Sequence, residues 1–134
     1  MAWSTTSDVE AFAEAALAFL SERPVEHTAL LTETAYLRAR SVATTDQHFG
    51  WWRDGSGAVG GAFVQAPQHP VLLSRVPPPA VTALVDALPR RVPVGVDGRD
   101  APLVVEAWRR RGLDLAPASR ILVHRLDLLR TPSP

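Results

Sequence analysis

The chain opens with two amphipathic segments. Apolar residues recur at steps of three and four over 9–20, the spacing of one helical face, and Ser7 or Asp8 can cap the first turn. Pro24 should mark the end of that helix. Alanine and leucine favour a second helix within 25–37. We expect these two helices to cover one face of a sheet.

The pattern changes to strands at Phe49. Segments 49–54 and 58–67 predict two strands joined by the glycine-containing turn 55–57, which is the clearest hairpin pattern in the chain. The glycines of this hairpin fit turn and bulge geometry better than a phosphate-binding loop, because they do not open a helix. The apolar segment 71–76 is bounded by prolines and predicts a third strand.

Helices and strands alternate in the second half. Pro79 can occupy the first turn of a helix of about ten residues. Segment 91–98 predicts a short buried strand, 101–112 a helix ending at Gly112, and 119–129 a final strand. The predicted order is ααβββαβαβ. The fold class is α+β (α/β), with a mixed, mostly antiparallel sheet of about five strands flanked by four helices.

Length and composition narrow the function classes. The 134 residues suit one domain over 1–130, with 131–134 as a tail or linker stub. The absence of cysteine excludes thiol nucleophiles, zinc thiolate sites and iron–sulfur clusters. Fourteen basic residues balance fourteen acidic ones, so we expect no nucleic-acid partner. Since no apolar stretch approaches about 20 residues, we expect no membrane partner and a cytoplasmic location.

Three segments carry a resemblance to a known family: FGWWR at 49–53, GAFVQAPQHPVLLS at 61–74 and WRRRG at 108–112. They resemble the N-terminal, degenerate domain of actinobacterial two-domain proteins of the GNAT family of N-acetyltransferases. In that family an antiparallel meander precedes the helix that binds the cofactor pyrophosphate, and further strands and helices follow. The resemblance implies a GNAT-like fold, with acetyl-CoA as the cofactor of active members.

The segment that corresponds to the pyrophosphate site is 74–80. In active family members a Gln/Arg-x-x-Gly-x-Gly/Ala segment offers successive backbone N–H groups to the phosphates at a helix N-terminus. Here the segment contains no glycine and three prolines, 77–79, which have no N–H. Arg75 is the remaining candidate for a phosphate contact, through its side chain. We therefore expect no bound cofactor, and acetyl-CoA only if the chain is an active member.

Other polar and aromatic residues give weaker patterns. His48, Asp46 and Glu33 could form an acid–base group, but nothing in their spacing brings them together. The histidines lack metal-ligand spacing, so no metal site is predicted. Adjacent Trp51 and Trp52 point to opposite faces of a strand, which puts them in a doubly covered core or at a partner surface. We keep Trp51, Trp52 and His48 as candidates for an interface or ligand cleft.

Three functions fit these patterns, and the catalytic residues stay unknown. The leading hypothesis is a noncatalytic GNAT-like domain that acts as a binding or assembly module, or as an accessory to a catalytic acetyltransferase domain. Its partner would be a second copy of the chain or that separate catalytic domain. The first alternative is an active acetyl-CoA-dependent N-acyltransferase with a non-standard cofactor site. The second is a small-molecule binding or resistance protein with a cleft between the sheet and the first two helices.

Overall fold

A computed structural model describes residues 2–40, 47–67, 69–88, 93–97 and 99–112. The elements of these residues are β1 (Ala2–Thr6), α1 (Val9–Ser21), α2 (Thr28–Arg40), β2 (His48–Arg53), β3 (Val59–Gln65), β4 (Val71–Leu73), α3 (Pro78–Ala87), β5 (Val94–Gly95) and α4 (Ala101–Arg110). Over these residues the fold is α+β, with a mixed five-stranded sheet and four helices, which confirms the predicted α+β class.

The sheet has the strand order β1-β2-β3-β4-β5. β1 to β4 are antiparallel neighbours, whereas β5 lies parallel to β4 because α3 carries the chain back across the sheet. The predicted hairpin is confirmed as the β2–β3 pair. Gly57 has a φ of +88° in its turn. The register shifts so that Trp52 faces Gly61 and Arg53 faces Val59, which makes Gly60 the extra residue of a β-bulge.

The predicted element order is wrong at its start. The described residues follow the order βααβββαβα, so a strand precedes the first helix. β1 was not predicted because its sequence, AWSTT, has no run of alternating apolar residues. It is an edge strand that forms by pairing with β2, where Trp3 faces Trp52. The predicted final strand, 119–129, lies outside the described residues.

The ends of the helices follow local sequence rules. Asp8 is the N-cap of α1, and its side chain accepts a hydrogen bond from the backbone N–H of Glu10 at 2.9 Å. Gly112 follows α4 with a φ of +78°, the left-handed conformation that glycine adopts at low cost. Gly112 was predicted from the sequence, and Asp8 was one of the two predicted caps, Ser7 or Asp8, because capping depends on residues within one turn.

The sheet is buried on both faces. The α1/α2 core contains Phe12, Ala16, Leu20, Leu30, Leu37, Phe49, Ala62, Val64 and Ala66. The α3/α4 core contains Trp52, Phe63, Val71, Leu73, Val76, Ala80, Val81, Leu84, Leu88, Val104 and Trp108. Trp51 is half-buried against the α1/α2 core, and Trp52 is buried in the α3/α4 core. The adjacent tryptophans therefore contribute to two different cores.

Candidate functional site at the start of helix α3

The first turn of α3 has its backbone donors already occupied. Pro77 is the N-cap residue, and prolines also fill the first two helical positions. The first available amides are those of Ala80 and Val81, and both donate to the carbonyl oxygen of Pro77, at 3.0 and 3.3 Å. Residues 77–81 therefore present no unpaired backbone N–H group. A helix N-terminus binds phosphate through such groups, so this one lacks the usual phosphate cradle.

The position of this turn is fixed by β1. The indole Nε1 of Trp3 donates a hydrogen bond to the carbonyl oxygen of Ala80 at 2.9 Å. Gly61 lies beneath the segment, and a Cβ atom at this glycine would lie 2.7 Å from a methyl group of Val76. This close approach requires glycine. The start of α3 is thus held against two strands of the sheet.

Arg75, the predicted phosphate contact, binds an acidic side chain instead. Its Nε donates to Oδ2 of Asp100 at 2.9 Å, and its Nη2 lies 3.5 Å from Oδ1. The Asp100 side chain is only 5% exposed, whereas that of Arg75 is 29% exposed. The Ser74 hydroxyl accepts a hydrogen bond from the N–H of Ala62 and donates to the carbonyl of Arg75. This segment therefore links the sheet to the start of α4.

Replacing Arg75 with methionine should lower the free energy of unfolding by about 1–2 kcal/mol, because Asp100 would be left buried without its counter-charge. We place the cost below that of a fully buried pair because solvent reaches part of Arg75. Urea denaturation measures the change. Adding Asp100→Asn to Arg75→Met removes the stranded charge, so the double variant should recover part of the loss. Strictly additive losses would contradict the ion-pair interpretation.

A second group of charges joins the α1–α2 connection to the β5–α4 connection. Arg99 donates to Asp97 at 2.9 Å and lies 3.4 Å from Glu26. The hydrogen bond from Arg99 lowers the pKa of Asp97 to about 2, against the opposing effect of partial burial. Desolvation raises the pKa of Glu26, but the hydrogen bond and charge of Arg99, with a contribution from Arg23, outweigh it and lower the pKa. These carboxylates are therefore ionised at neutral pH.

A groove of about 570 Å³ lies on the face of the sheet that α1 and α2 cover, between α2 and the ends of β3 and β4. We call it the α2 groove. Its wall includes Glu33, Tyr36, Leu37, His69 and Leu72. The Tyr36 residue is 54% exposed, and the guanidinium carbon of Arg40 lies 5.5 Å from the centre of its ring. The groove is lined by α2 and the sheet but by no residue of α1, so it involves only one of the two helices of the predicted cleft.

The structure gives no sign that Glu33 and His48, two of the three candidate acid–base residues, come together. Glu33 lies in the α2 groove, while His48 pairs with Gln65 across β2 and β3 and does not line that groove. Asp46 lies outside the described residues. Within 2–40, 47–67, 69–88, 93–97 and 99–112, no three His, Asp or Glu side chains are arranged to hold a metal ion. Thus the described residues show no acid–base cluster around His48.

Two important residues were missed by sequence reasoning. Asp100 immediately precedes the predicted helix 101–112, and the sequence did not indicate its partner, Arg75, because the two residues are 25 positions apart. Tyr36 lies within the second predicted helix, 25–37, and the spacing of that segment did not indicate that the residue is exposed. An aromatic residue flanked by alanine and followed by Arg40 was the only local signal.

Comparisons of the chain with protein-family models, with curated proteins and with solved structures found no match. Among the described residues, no helix combines the length and apolar character needed to cross a membrane.

Proposed function

We propose that the chain is a noncatalytic GNAT-like domain that acts as a binding or assembly module, alone or as an accessory to a catalytic acetyltransferase domain. The observation that carries the proposal is the start of α3. The helix that would face the cofactor pyrophosphate begins with prolines, and the amides of Ala80 and Val81 bind the carbonyl of Pro77. Acetyl-CoA binding in the usual mode would have no backbone donors at this turn.

The order of elements supports the GNAT-like part of the proposal. An antiparallel meander, β2 to β4, leads into α3, and α3 leads into a strand parallel to β4 and then into α4. The family resemblance implies this succession. By the family resemblance, 74–80 corresponds to the segment that holds the pyrophosphate in active members, and the lack of free backbone donors there supports a noncatalytic domain.

The side chains near this turn support the noncatalytic part. Arg75 is bound to Asp100, so a phosphate contact would compete with a largely buried ion pair. Arg99 bridges Asp97 and Glu26, and the charge of Arg75 also contributes to the lowered pKa of Asp97. A phosphate that took Nε of Arg75 would have to break the ion pair with Asp100, and its affinity would fall by the cost of breaking that pair.

A thiol-release assay with acetyl-CoA and a panel of primary amines tests the absence of transfer. We expect no release of CoA above the rate of the amine and acetyl-CoA alone. Turnover that requires both the protein and one amine, and that saturates with acetyl-CoA, would overturn the proposal in favour of an active N-acyltransferase. Light scattering over a range of protein concentrations then tests whether the partner is a second copy.

The α2 groove supports a second candidate, a small-molecule binding protein. Apolar side chains of Leu37 and Leu72, an exposed Tyr36 ring and the Glu33 carboxylate form a concave surface of a size typical of ligand sites. A compound that raises the melting temperature of the protein, and no longer does so after Tyr36→Ala, would favour this function. An identical thermal shift in the variant would place the compound elsewhere.

A further inference from the structure

The charged side chains of α2 differ in whether the protein pairs them. The helix carries three, Glu33, Arg38 and Arg40. Arg38 lies outside the α2 groove and is paired with Glu10 of α1, with its Nε 3.0 Å from Oε2. Glu33 and Arg40 both line the groove. Among the described residues, the Glu33 carboxylate has no hydrogen bond or ion pair, and Arg40 has no acidic partner. The groove therefore contains two opposite charges that these residues leave unneutralised.

The spacing of the two charges lets one ligand contact both. Glu33 and Arg40 are seven positions apart, so they lie on nearly the same face of α2, two turns from each other. The helical rise separates them by about 10 Å along the axis. Charged side chains on a helix pair at three or four positions, so this spacing does not favour a direct ion pair between them. A linear molecule of similar length can reach one charge with each end.

Tyr36 holds the cationic end of the groove in place. Nη1 of Arg40 donates a hydrogen bond to the Tyr36 hydroxyl at 3.3 Å, and the guanidinium carbon lies over the tyrosine ring. A guanidinium has five N–H donors, so this contact leaves most of them available to an acceptor. Since Tyr36 itself lines the groove, it keeps the Arg40 guanidinium beside the groove.

The wall of the groove also offers apolar surface. Leu37 of α2 faces Ala66 and Leu72 of the sheet side, and the volume of about 570 Å³ is in the range of ligand sites. His69 is the remaining titratable side chain of the wall, and its Nδ1 lies 2.7 Å from the carbonyl oxygen of Pro67. Apolar surface combined with one carboxylate and one guanidinium selects a ligand with an apolar middle and two charged ends.

We infer that the α2 groove binds a linear zwitterion. Its ammonium end pairs with Glu33, its carboxylate end accepts hydrogen bonds from Arg40, and its apolar middle contacts Leu37 and Leu72. An ω-amino acid and a short apolar peptide with free ends share this chemistry, and an extended tripeptide spans about 10 Å. The inference rests on the second candidate function, the small-molecule site in this groove, and adds the class of ligand. It requires neither acetyl-CoA nor any reaction.

Proton NMR of the full chain tests the inference, because Tyr36 is the only tyrosine and its ring protons report on the groove. At pH 7 carboxylates are ionised, and alkylamines and most α-amino groups are protonated. The probes 8-aminooctanoate, octanoate and n-octylammonium share an apolar chain. We expect a saturable shift, with 8-aminooctanoate binding about threefold to fivefold more tightly than either analogue, the size expected for one exposed ion pair.

Two variants assign one end of the ligand to each charge. Glu33→Gln should weaken 8-aminooctanoate and n-octylammonium by about threefold to fivefold and should not weaken octanoate. Arg40→Gln should weaken 8-aminooctanoate and octanoate and should not weaken n-octylammonium. Glu14→Gln removes an exposed carboxylate from α1 outside the groove and should change none of the affinities. A variant that weakened all three probes equally would contradict the inference.

The remaining outcomes separate this inference from the candidate function beneath it. Equal affinities for the three probes would overturn the zwitterion and leave the α2 groove as a general apolar site. No saturable shift with any probe would overturn both. The tripeptide Ala-Leu-Ala, with free ends and with both ends blocked, distinguishes the two sources of the ligand. Tighter binding of the free tripeptide than of 8-aminooctanoate identifies a peptide, and the reverse order identifies an ω-amino acid.

Discussion

Replacing Trp52 with alanine should lower the free energy of unfolding by about 3–5 kcal/mol, the largest effect that we expect of a single substitution. The Trp52 residue is 3% exposed and belongs to the α3/α4 core. Removing the indole deletes apolar contacts and leaves a cavity that the close-packed core cannot fill. Small domains have about 5–15 kcal/mol of stability in total, so the loss should be evident in urea denaturation.

Trp51→Ala is the control for Trp52→Ala. The two residues are adjacent in β2, but the Trp51 side chain lies on the opposite face and is half-buried, with its ring 6.4 Å from that of Phe12. We expect a loss of roughly half that of Trp52→Ala, because the retained exposure reduces the apolar area removed from water. Losses in the reverse order would contradict the assignment of Trp52 to the more deeply buried core.

Gly50→Ala should destabilise the protein by about 1–3 kcal/mol, although it adds a single methyl group. Gly50 pairs with Phe63 across β2 and β3, and the Phe63 ring lies over the glycine. A Cβ atom at position 50 would overlap Cε2 of that ring and lie 2.7 Å from Cζ. Phe63 is fully buried, so its ring can move only by displacing the α3/α4 core. Urea denaturation and near-UV circular dichroism measure the effect.

Gly55→Ala supplies the matched control in the turn of the same hairpin. A Cβ atom at Gly55 would have no heavy atom within 4 Å, and this glycine does not have a positive φ. We expect a change within about 0.5 kcal/mol. If Gly50→Ala proved as mild as Gly55→Ala, the close packing of Phe63 on Gly50 would be refuted.

Much of the fold could be predicted because its determinants are local. The spacing of apolar residues over 9–20 and the glycine-containing turn at 55–57 each fix an element within a few residues. Asp8 and Gly112 act on the helix turn beside them. The α+β class then followed from the succession of elements, without any contact between distant residues.

The remainder depends on contacts between distant residues, which spacing does not reveal. β1 is a strand because Trp3 pairs with Trp52 and its indole binds the carbonyl of Ala80, 77 positions away. Arg75 was a candidate for a phosphate contact, and only the folded chain brings Asp100 to it. The prolines at the start of α3 are evident from the sequence. The sequence did not show that the next two amides, those of Ala80 and Val81, donate to the carbonyl oxygen of Pro77.

Isothermal titration of acetyl-CoA into the full chain is the most direct test of the claim that the start of α3 cannot bind the cofactor pyrophosphate. We expect no saturable heat at micromolar to millimolar acetyl-CoA, and no difference between the natural chain and Arg75→Met. Saturable micromolar binding that Arg75→Met weakens would contradict the account, since Arg75 would then contact phosphate instead of serving only to hold Asp100.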